Sequence, residues 1–367
     1  MKLSNIDRQI LIQFSFWNKF RAKEFLLMLR KYKDFNTILS LNNNQLEKIS
    51  FKKEYYQNMV EFTNSKDYKN AHKILDNYQI KTITFFDKDY PELLKEISSP
   101  PLVLFYKGTL PLKNDFLVSV VGTRKVTSYG RIVTEKLVSE LCDNKIYCVS
   151  GLALGVDSIV AKTATEDSYK TFAILGNGLD QIYPLINKNL GHQVIKNLGA
   201  IISEFPPGVP ALKQNFPQRN RIIAGISKGT IVIEAAEQSG SLITASFANQ
   251  ENRSVFAIPG PIFSEQSKGT NNLIKLGAKP VTSVADILEE FDLEAIKNDE
   301  VLENEVEFDN LEQEQIYNLL NTSFPIHVNS IAKKIKLDIP NILSNLMSLE
   351  LKSAIKNVGA GKYIKNK

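Results

Sequence analysis

The 367-residue chain holds two cysteines, three histidines and one tryptophan, and each scarcity closes off a class of protein. Cys142 and Cys148 are too few for a disulfide framework, and their apolar neighbours assign them to a core rather than a reactive site. So few cysteines suit a reducing compartment. His72, His192 and His327 stand far apart, neither cysteine belongs to a Cys-x-x-Cys pair, and no His-Glu-x-x-His occurs. No metal site, structural or catalytic, is therefore expected. No stretch approaches the roughly 18 apolar residues of a membrane span. Ile6, Ile10, Leu11 and Phe14 are separated by polar and charged residues, so no signal-peptide core forms and a cytoplasmic location is expected. The G-x-x-x-x-G-K-[ST] loop of ATP-binding proteins and the G-x-G-x-x-G spacing of dinucleotide enzymes are also missing.

What is present is an ordinary globular composition, 43% apolar and 23% charged, in a length that suggests two or three folded units. The net charge of +5 is unevenly spread. Residues 1–80 carry 14 basic and 8 acidic groups, 81–291 carry 22 and 20, 292–310 carry 1 and 8, and 311–367 carry 8 and 4. The pattern predicts four segments. Apolar residues at helical spacing, such as Phe25, Leu26, Leu29 and Tyr32, predict a small helical unit over 1–80. Its basic character is that of a solvated helix surface or of a DNA-contacting face. The acidic strip 292–310 predicts a solvated linker. Three amphipathic stretches and the hairpin-like run from Ile355 to Ile364 predict a winged helix-turn-helix over 311–367. Its expected recognition helix carries only Lys352 at the end, which leaves duplex binding and protein interaction both open.

Between these ends, β-branched runs alternate with helical patterns. The runs are 116–121, 146–150, 171–175, 200–203, 230–234, 254–258 and 280–282. Continuous apolar strands interrupted by helices predict a doubly wound, mostly parallel sheet of the Rossmann-like α/β class. In such a sheet the ligand lies at the carboxyl ends of the strands. There the sequence supplies Gly122, Thr123, Arg124 and Lys125 after the first run and Gly151 after the second. The fourth leads to a basic aromatic loop containing Lys213, Phe216, Arg219 and Arg221. Glycine turns, cations and an aromatic ring on one edge suit a polyanion that also offers planar bases. The carboxylates of that edge, Asp157, Asp180, Glu204 and Glu234, have no histidine near them in sequence and are expected to cap helices and hold basic loops. No catalytic residue and no cofactor is expected.

The strings VGTRKVTSYG, VSGLALGVD, LGNGLDQIYP, SEFPPG, FPQRNRIIAG, VIEAAEQSGSLITA, FAIPG and GTNNLIKLGA, in this order between about 90 and 285, closely resemble the DNA processing protein A family. The resemblance implies a bacterial protein that binds single-stranded DNA during natural transformation, loads the RecA recombinase on it, displaces single-strand-binding protein and acts as a homodimer. It implies no catalysis. It carries DNA contact onto Thr123, Arg124, Gly151, Lys213 and Phe216, with Arg219 and Arg221 in the adjoining string as contacts or as ion-pair anchors to Glu204 or Glu234. Two positions depart from the family pattern: Lys162 stands where the family often has histidine, and Trp17 to Arg21 lacks a hairpin glycine. An alternative is a nucleotide-processing, phosphoribohydrolase-like enzyme using Glu234, although the P-G-G that precedes the catalytic glutamate there is absent.

Overall fold

Nine short strands rich in Val, Ile, Phe and Ala form one sheet in the order β1-β2-β6-β5-β4-β3-β7-β8-β9. They are β1 Lys81–Thr84, β2 Val103–Gly108, β3 Phe116–Val121, β4 Ile146–Ser150, β5 Phe172–Leu175, β6 Ala200–Ser203, β7 Gly229–Val232, β8 Ser254–Ala257 and β9 Lys279–Pro280. The structure is a computed structural model and describes residues 3–32, 34–42, 45–46, 52–296, 308–321 and 325–365. Most of the expected acidic linker, 297–307, lies outside the described residues. Neighbouring strands from β6 across to β9 run parallel. The chain lays β4, β5 and β6 on one side of β3, then crosses back to lay β7, β8 and β9 on the other. This is a doubly wound sheet whose winding direction reverses between β3 and β7.

Both faces of the sheet are covered, which explains why its central strands are predominantly apolar rather than alternating. Leu117 and Val121 of β3 pack in one layer with Ile222 and Ile223 of the Asn215–Gly225 helix. Val118 and Val120 pack in the other with Leu137 and Leu141 of the Ser128–Asp143 helix. Every residue of β5, β6 and β7 is buried. Ser119 inside these layers is bonded: its Oγ donates to the Ile223 carbonyl at 2.6 Å and meets Ser227 Oγ at 2.8 Å.

The structure differs from the sequence-based expectation at two places. No strand was expected before residue 116, yet Val103–Gly108 forms β2, which pairs antiparallel with both β6 and β1. Residues 213–221 were expected as a loop, yet Asn215–Gly225 is a helix. Pro217 falls in its first turn, where its missing N–H would have had no intrahelical partner, so proline there does not break a helix.

The helices Asn5–Phe14, Ala22–Tyr32, Phe35–Leu39, Lys53–Phe62 and Lys66–Asn77 precede the sheet. Their aromatic core of Phe14, Phe25 and Phe35 is continuous with the sheet edge through Phe105. Phe16 stands edge-on to Phe105 at 6.0 Å, and Arg8 pairs with Asp87 at 3.1 Å. At the other end, the helices Leu311–Leu319, Val328–Ile335 and Ile339–Leu351 enclose a core of their own with a three-stranded antiparallel sheet, Ile326–His327, Lys362–Lys365 and Ile355–Asn357. The Ile339–Leu351 helix exposes Ile339, Leu343, Met347 and Leu351, four apolar residues at a spacing of four and hence on one face. Lys352 beyond it is held by Asp309 at 2.7 Å. Among the described residues, no helix is long and apolar enough to cross a membrane.

Candidate nucleic-acid interface

A cleft of about 700 Å³ opens at the carboxyl ends of the central strands. Its wall takes Gly122 and Arg124 from the turn after β3, Ala153 and Asp157 after β4, Tyr183 after β5, Lys213 and Phe216 after β6, and Ser239 to Ser241 after β7. It therefore straddles the strands where the winding reverses, the place at which open α/β sheets hold ligands.

The turns after β3 and β4 are fastened to each other before they face the cleft. Thr123 N–H donates to the Glu234 carbonyl at 2.8 Å, and Val156 N–H donates to the Thr123 carbonyl at 3.2 Å. Gly155 adopts a φ of 81°, and a Cβ there would stand 2.3 Å from the Thr123 carbonyl oxygen. Only glycine permits this approach. The consequence is that Thr123 is buried, its hydroxyl accepting from Lys125 N–H at 3.1 Å, while Arg124 and Lys125 project outward exposed.

Phe216 is the centre of the cleft's geometry. Its ring rests against Gly176, where a Cβ would come within 3.0 Å of Phe216 Cδ1. The Arg124 and Arg219 guanidinium carbons lie 5.8 and 6.0 Å from its ring centre, within cation–π range. Tyr183 lies 5.9 Å from it, tilted by 35°. Arg124 and Lys213 are exposed and, among the described residues, enter no ion pair or side-chain hydrogen bond.

Arg219 is a different kind of cation. It is 5% exposed, and its Nη1 donates to the carbonyls of Gly151, at 3.0 Å, and Ile174. Asp157, equally buried, accepts from Gly151 N–H at 3.1 Å and Ala153 N–H at 3.3 Å. Burial pushes the Asp157 carboxyl up against the pull of Arg219 and those two N–H groups. Burial also brings the Arg219 guanidinium down to about 10, against the pull of Asp157. Desolvation thus exceeds the attraction between these two buried charges, which act on each other without a direct ion pair. Arg219's bonds to the Gly151 and Ile174 carbonyls hold the ends of β4 and β5 to the Asn215–Gly225 helix.

The structure brings Gly122, Arg124, Lys213, Phe216 and Arg219 of the expected residues together on one wall. It does not bring all nine. Thr123 is buried, Lys125 is exposed but not part of the cleft lining, and Gly151 lies beneath the Arg219 guanidinium. Arg221 is paired with Glu204, as one of its two expected roles required. Arg219 pairs with neither Glu204 nor Glu234. Tyr183, Asn220, Ser239, Gly240 and Ser241 also line the cleft, and none of them was among the expected contact residues. For Tyr183 the signal was available, an aromatic residue one strand away from Phe216 on the same sheet edge.

The rim carboxylates serve as expected. Asp180 accepts from Gly208 N–H at 2.9 Å, and Glu204 holds Arg221. Glu234, 2% exposed, takes the Thr127 N–H at 2.9 Å and its hydroxyl at 2.6 Å. Thr127 in turn caps the Ser128–Asp143 helix, so Glu234 is committed to the fold and absent from the cleft wall. Gly225-Ile226-Ser227-Lys228-Gly229 spells a nucleophile-turn pattern but precedes a strand instead of following one. Its Ser227 is 0% exposed and faces Ser119, which removes it from nucleophilic chemistry.

Fold and cleft together define a doubly wound α/β protein with a cationic, aromatic-bearing crevice at the carboxyl ends of its strands. Residues 81–292 match the family described as DNA recombination-mediator protein A, and the chain belongs to that family, one of mediators rather than enzymes. It is 44% identical over 222 residues to the DNA processing protein DprA of Streptococcus pneumoniae, covering 60% of this chain and 78% of that protein. To protein Smf of Escherichia coli it is 37% identical over 278 residues, 74% of each chain. The crystallographic structure of the S. pneumoniae protein superposes with a TM-score of 0.66 at 34% identity, covering 79% of this chain and 99% of that one. A Helicobacter pylori DNA processing protein A, described for its unique single-stranded DNA binding mode, superposes at 0.52 with 30% identity, covering 59% and 98%.

Proposed function

We propose that the chain binds single-stranded DNA in this cleft without sequence preference and loads the RecA recombinase on the bound strand, displacing single-strand-binding protein, within the cytoplasm. The observation that carries the reading is the trio of Arg124, Lys213 and Phe216, two exposed cations that enter no ion pair among the described residues, beside a seated aromatic ring. Cations track a phosphate backbone, and a ring accepts any base, because every base has a π-face. The H. pylori relative's single-stranded DNA binding supports the same reading. Gly122 and the buried Arg219 shape the wall, and Gly151 and Arg221 act from behind it. Thr123 and Lys125 belong to the same turn as Arg124 and set its direction.

The protein works as a homodimer in this reading. Exposed Ile262, Phe263 and Leu276 beside a second concavity are a surface that a second copy could cover, and contiguous exposed apolar groups commonly mark such contacts. The enzymatic alternative is disfavoured by the burial and bonding of Glu234.

The test is a titration of labelled single-stranded and duplex oligonucleotides across a range of salt, repeated with the recombinase present. Tight, strongly salt-dependent binding of the single strand, with faster recombinase assembly on it, is the expected result. Equal affinity for the duplex would refute the single-strand reading.

A further inference from the structure

We propose that Tyr183 is a second base-stacking platform beside Phe216, so that the cleft receives two successive bases of a strand rather than one. The inference rests on the reading of the cleft as a single-stranded DNA site and adds a residue and a ligand length to it.

The segment after β5 is built to present this ring. Leu179 and Ile182 are 1% and 7% exposed and anchor it in the core, whereas Tyr183 is 42% exposed. The Asn177 amide donates to the carbonyls of Gly178, at 2.8 Å, and Gln181, at 2.7 Å. Downstream, the Asn187 amide donates to the Leu152 carbonyl at 2.9 Å. Tyr183 is thus held on a braced turn with its ring outside. Holding a large ring in water without purpose for folding runs against the hydrophobic trend, and this one lines the ligand cleft.

The ring geometry decides how bases can meet it. Tyr183 and Phe216 are 5.9 Å apart at 35°, a contacting aromatic pair. A base between them would need two ring contacts of about 3.5–4.0 Å each, more room than the pair leaves. The two rings therefore form one bent surface, and bases stack side by side on it, one per ring. A further exposed apolar group, Ile243, shares the cleft lining with Tyr183 and Phe216. No cation is needed for this half of the contact, so it adds affinity without adding salt dependence.

The experiment uses the full chain and fluorescence anisotropy with a labelled oligothymidylate and an abasic strand of equal length. Tyr183→Ala is expected to weaken oligothymidylate binding by roughly 5- to 100-fold, the range of one lost base stack, with the salt slope unchanged. Tyr183→Phe is expected to bind like the wild type, because stacking uses the ring. Tyr183→Trp supplies a direct signature: its emission, read above the constant contribution of buried Trp17, is expected to be quenched by oligothymidylate and indifferent to the abasic strand. Wild-type affinity in Tyr183→Ala, or equal quenching by both strands, overturns the proposal. Loss of affinity in Tyr183→Ala without quenching in Tyr183→Trp also overturns it, since Tyr183 would then only buttress Phe216. Lys213→Ala separates the two levels. If that variant binds like the wild type across the salt range, the cleft itself is misassigned and Tyr183 falls with it.

Discussion

The Arg219 guanidinium fills the space that a side chain on Gly151 would need. A Cβ at Gly151 would stand 2.6 Å from Arg219 Nη2 and 2.7 Å from Cζ, while the Gly151 carbonyl accepts from the same group at 3.0 Å. The glycine is therefore required by the protein's own buried cation rather than by close approach of a ligand. Gly151→Ala is expected to destabilise the fold by about 1–3 kcal/mol through overpacking, read as a lower urea midpoint. The salt slope of DNA binding is expected to stay that of the wild type. A stable Gly151→Ala protein with a reduced slope would return Gly151 to the ligand surface.

This pair also shows which parts of the molecule the sequence could disclose. The doubly wound sheet was legible because burial on both faces makes β5, β6 and β7 predominantly apolar, with little alternation, and that texture can be read from the residues alone. The edge on which the site lies was legible for the same reason, since strand direction alone fixes where the turns fall. Depth was not. Arg219 and Arg221 are two residues apart in one string, yet one is buried against Asp157 and the other is paired with Glu204 at the helix side. That difference depends on helical phase, and the helix itself was obscured by Pro217. The Val103–Gly108 strand was missed because an antiparallel strand after two prolines lacks the regular strand-to-helix rhythm of its neighbours.

Cations on the cleft wall and cations behind it should respond differently to salt. Arg124 and Lys213 are exposed and, among the described residues, enter no ion pair, so each alanine substitution is expected to lower the slope of log affinity against log salt by about 1. Arg221 is already neutralised by Glu204 in a half-buried pair. Arg221→Ala is expected to leave the slope intact and to cost about 3–5 kcal/mol of stability, toward the lower end given its partial exposure, because Glu204 would keep its charge without a partner. Parallel salt titrations and chemical denaturation of the three variants check this. A slope lowered by Arg221→Ala alone would move the strand's path to the Glu204 side of the sheet.

Acid should weaken the β9 end of the sheet through Asp286. Its carboxylate accepts from Thr282 N–H at 2.7 Å, Ser283 N–H at 3.0 Å and the Thr282 hydroxyl at 3.0 Å. These bonds, the Thr282 N–H foremost, hold its pKa below the ordinary 3.8, with Lys279 helping. A carboxyl depressed in the fold stabilises it fully above its unfolded value and loses that contribution as pH falls through the folded one. Asp286→Asn is therefore expected to melt at a lower temperature than the wild type at neutral pH, with the gap closing below about pH 3.8. A gap constant from pH 7 to pH 3 would mean that the carboxylate's charge contributes nothing.

Phe216 tests whether affinity in the cleft is charge alone. Its ring is seated on Gly176 and flanked by Arg124, so Phe216→Ala removes a stacking surface while leaving every cation of the wall in place. Single-stranded DNA affinity is expected to fall by about 1–3 kcal/mol, the value of one base–aromatic stack, and the salt slope to remain within the wild-type error. Phe216→Tyr is expected to restore most of the loss, because Tyr offers the same ring beside the same guanidinium. Should Phe216→Ala lower the slope and leave low-salt affinity untouched, the ring would be acting only to place Arg124, and bases would have no partner in this part of the cleft.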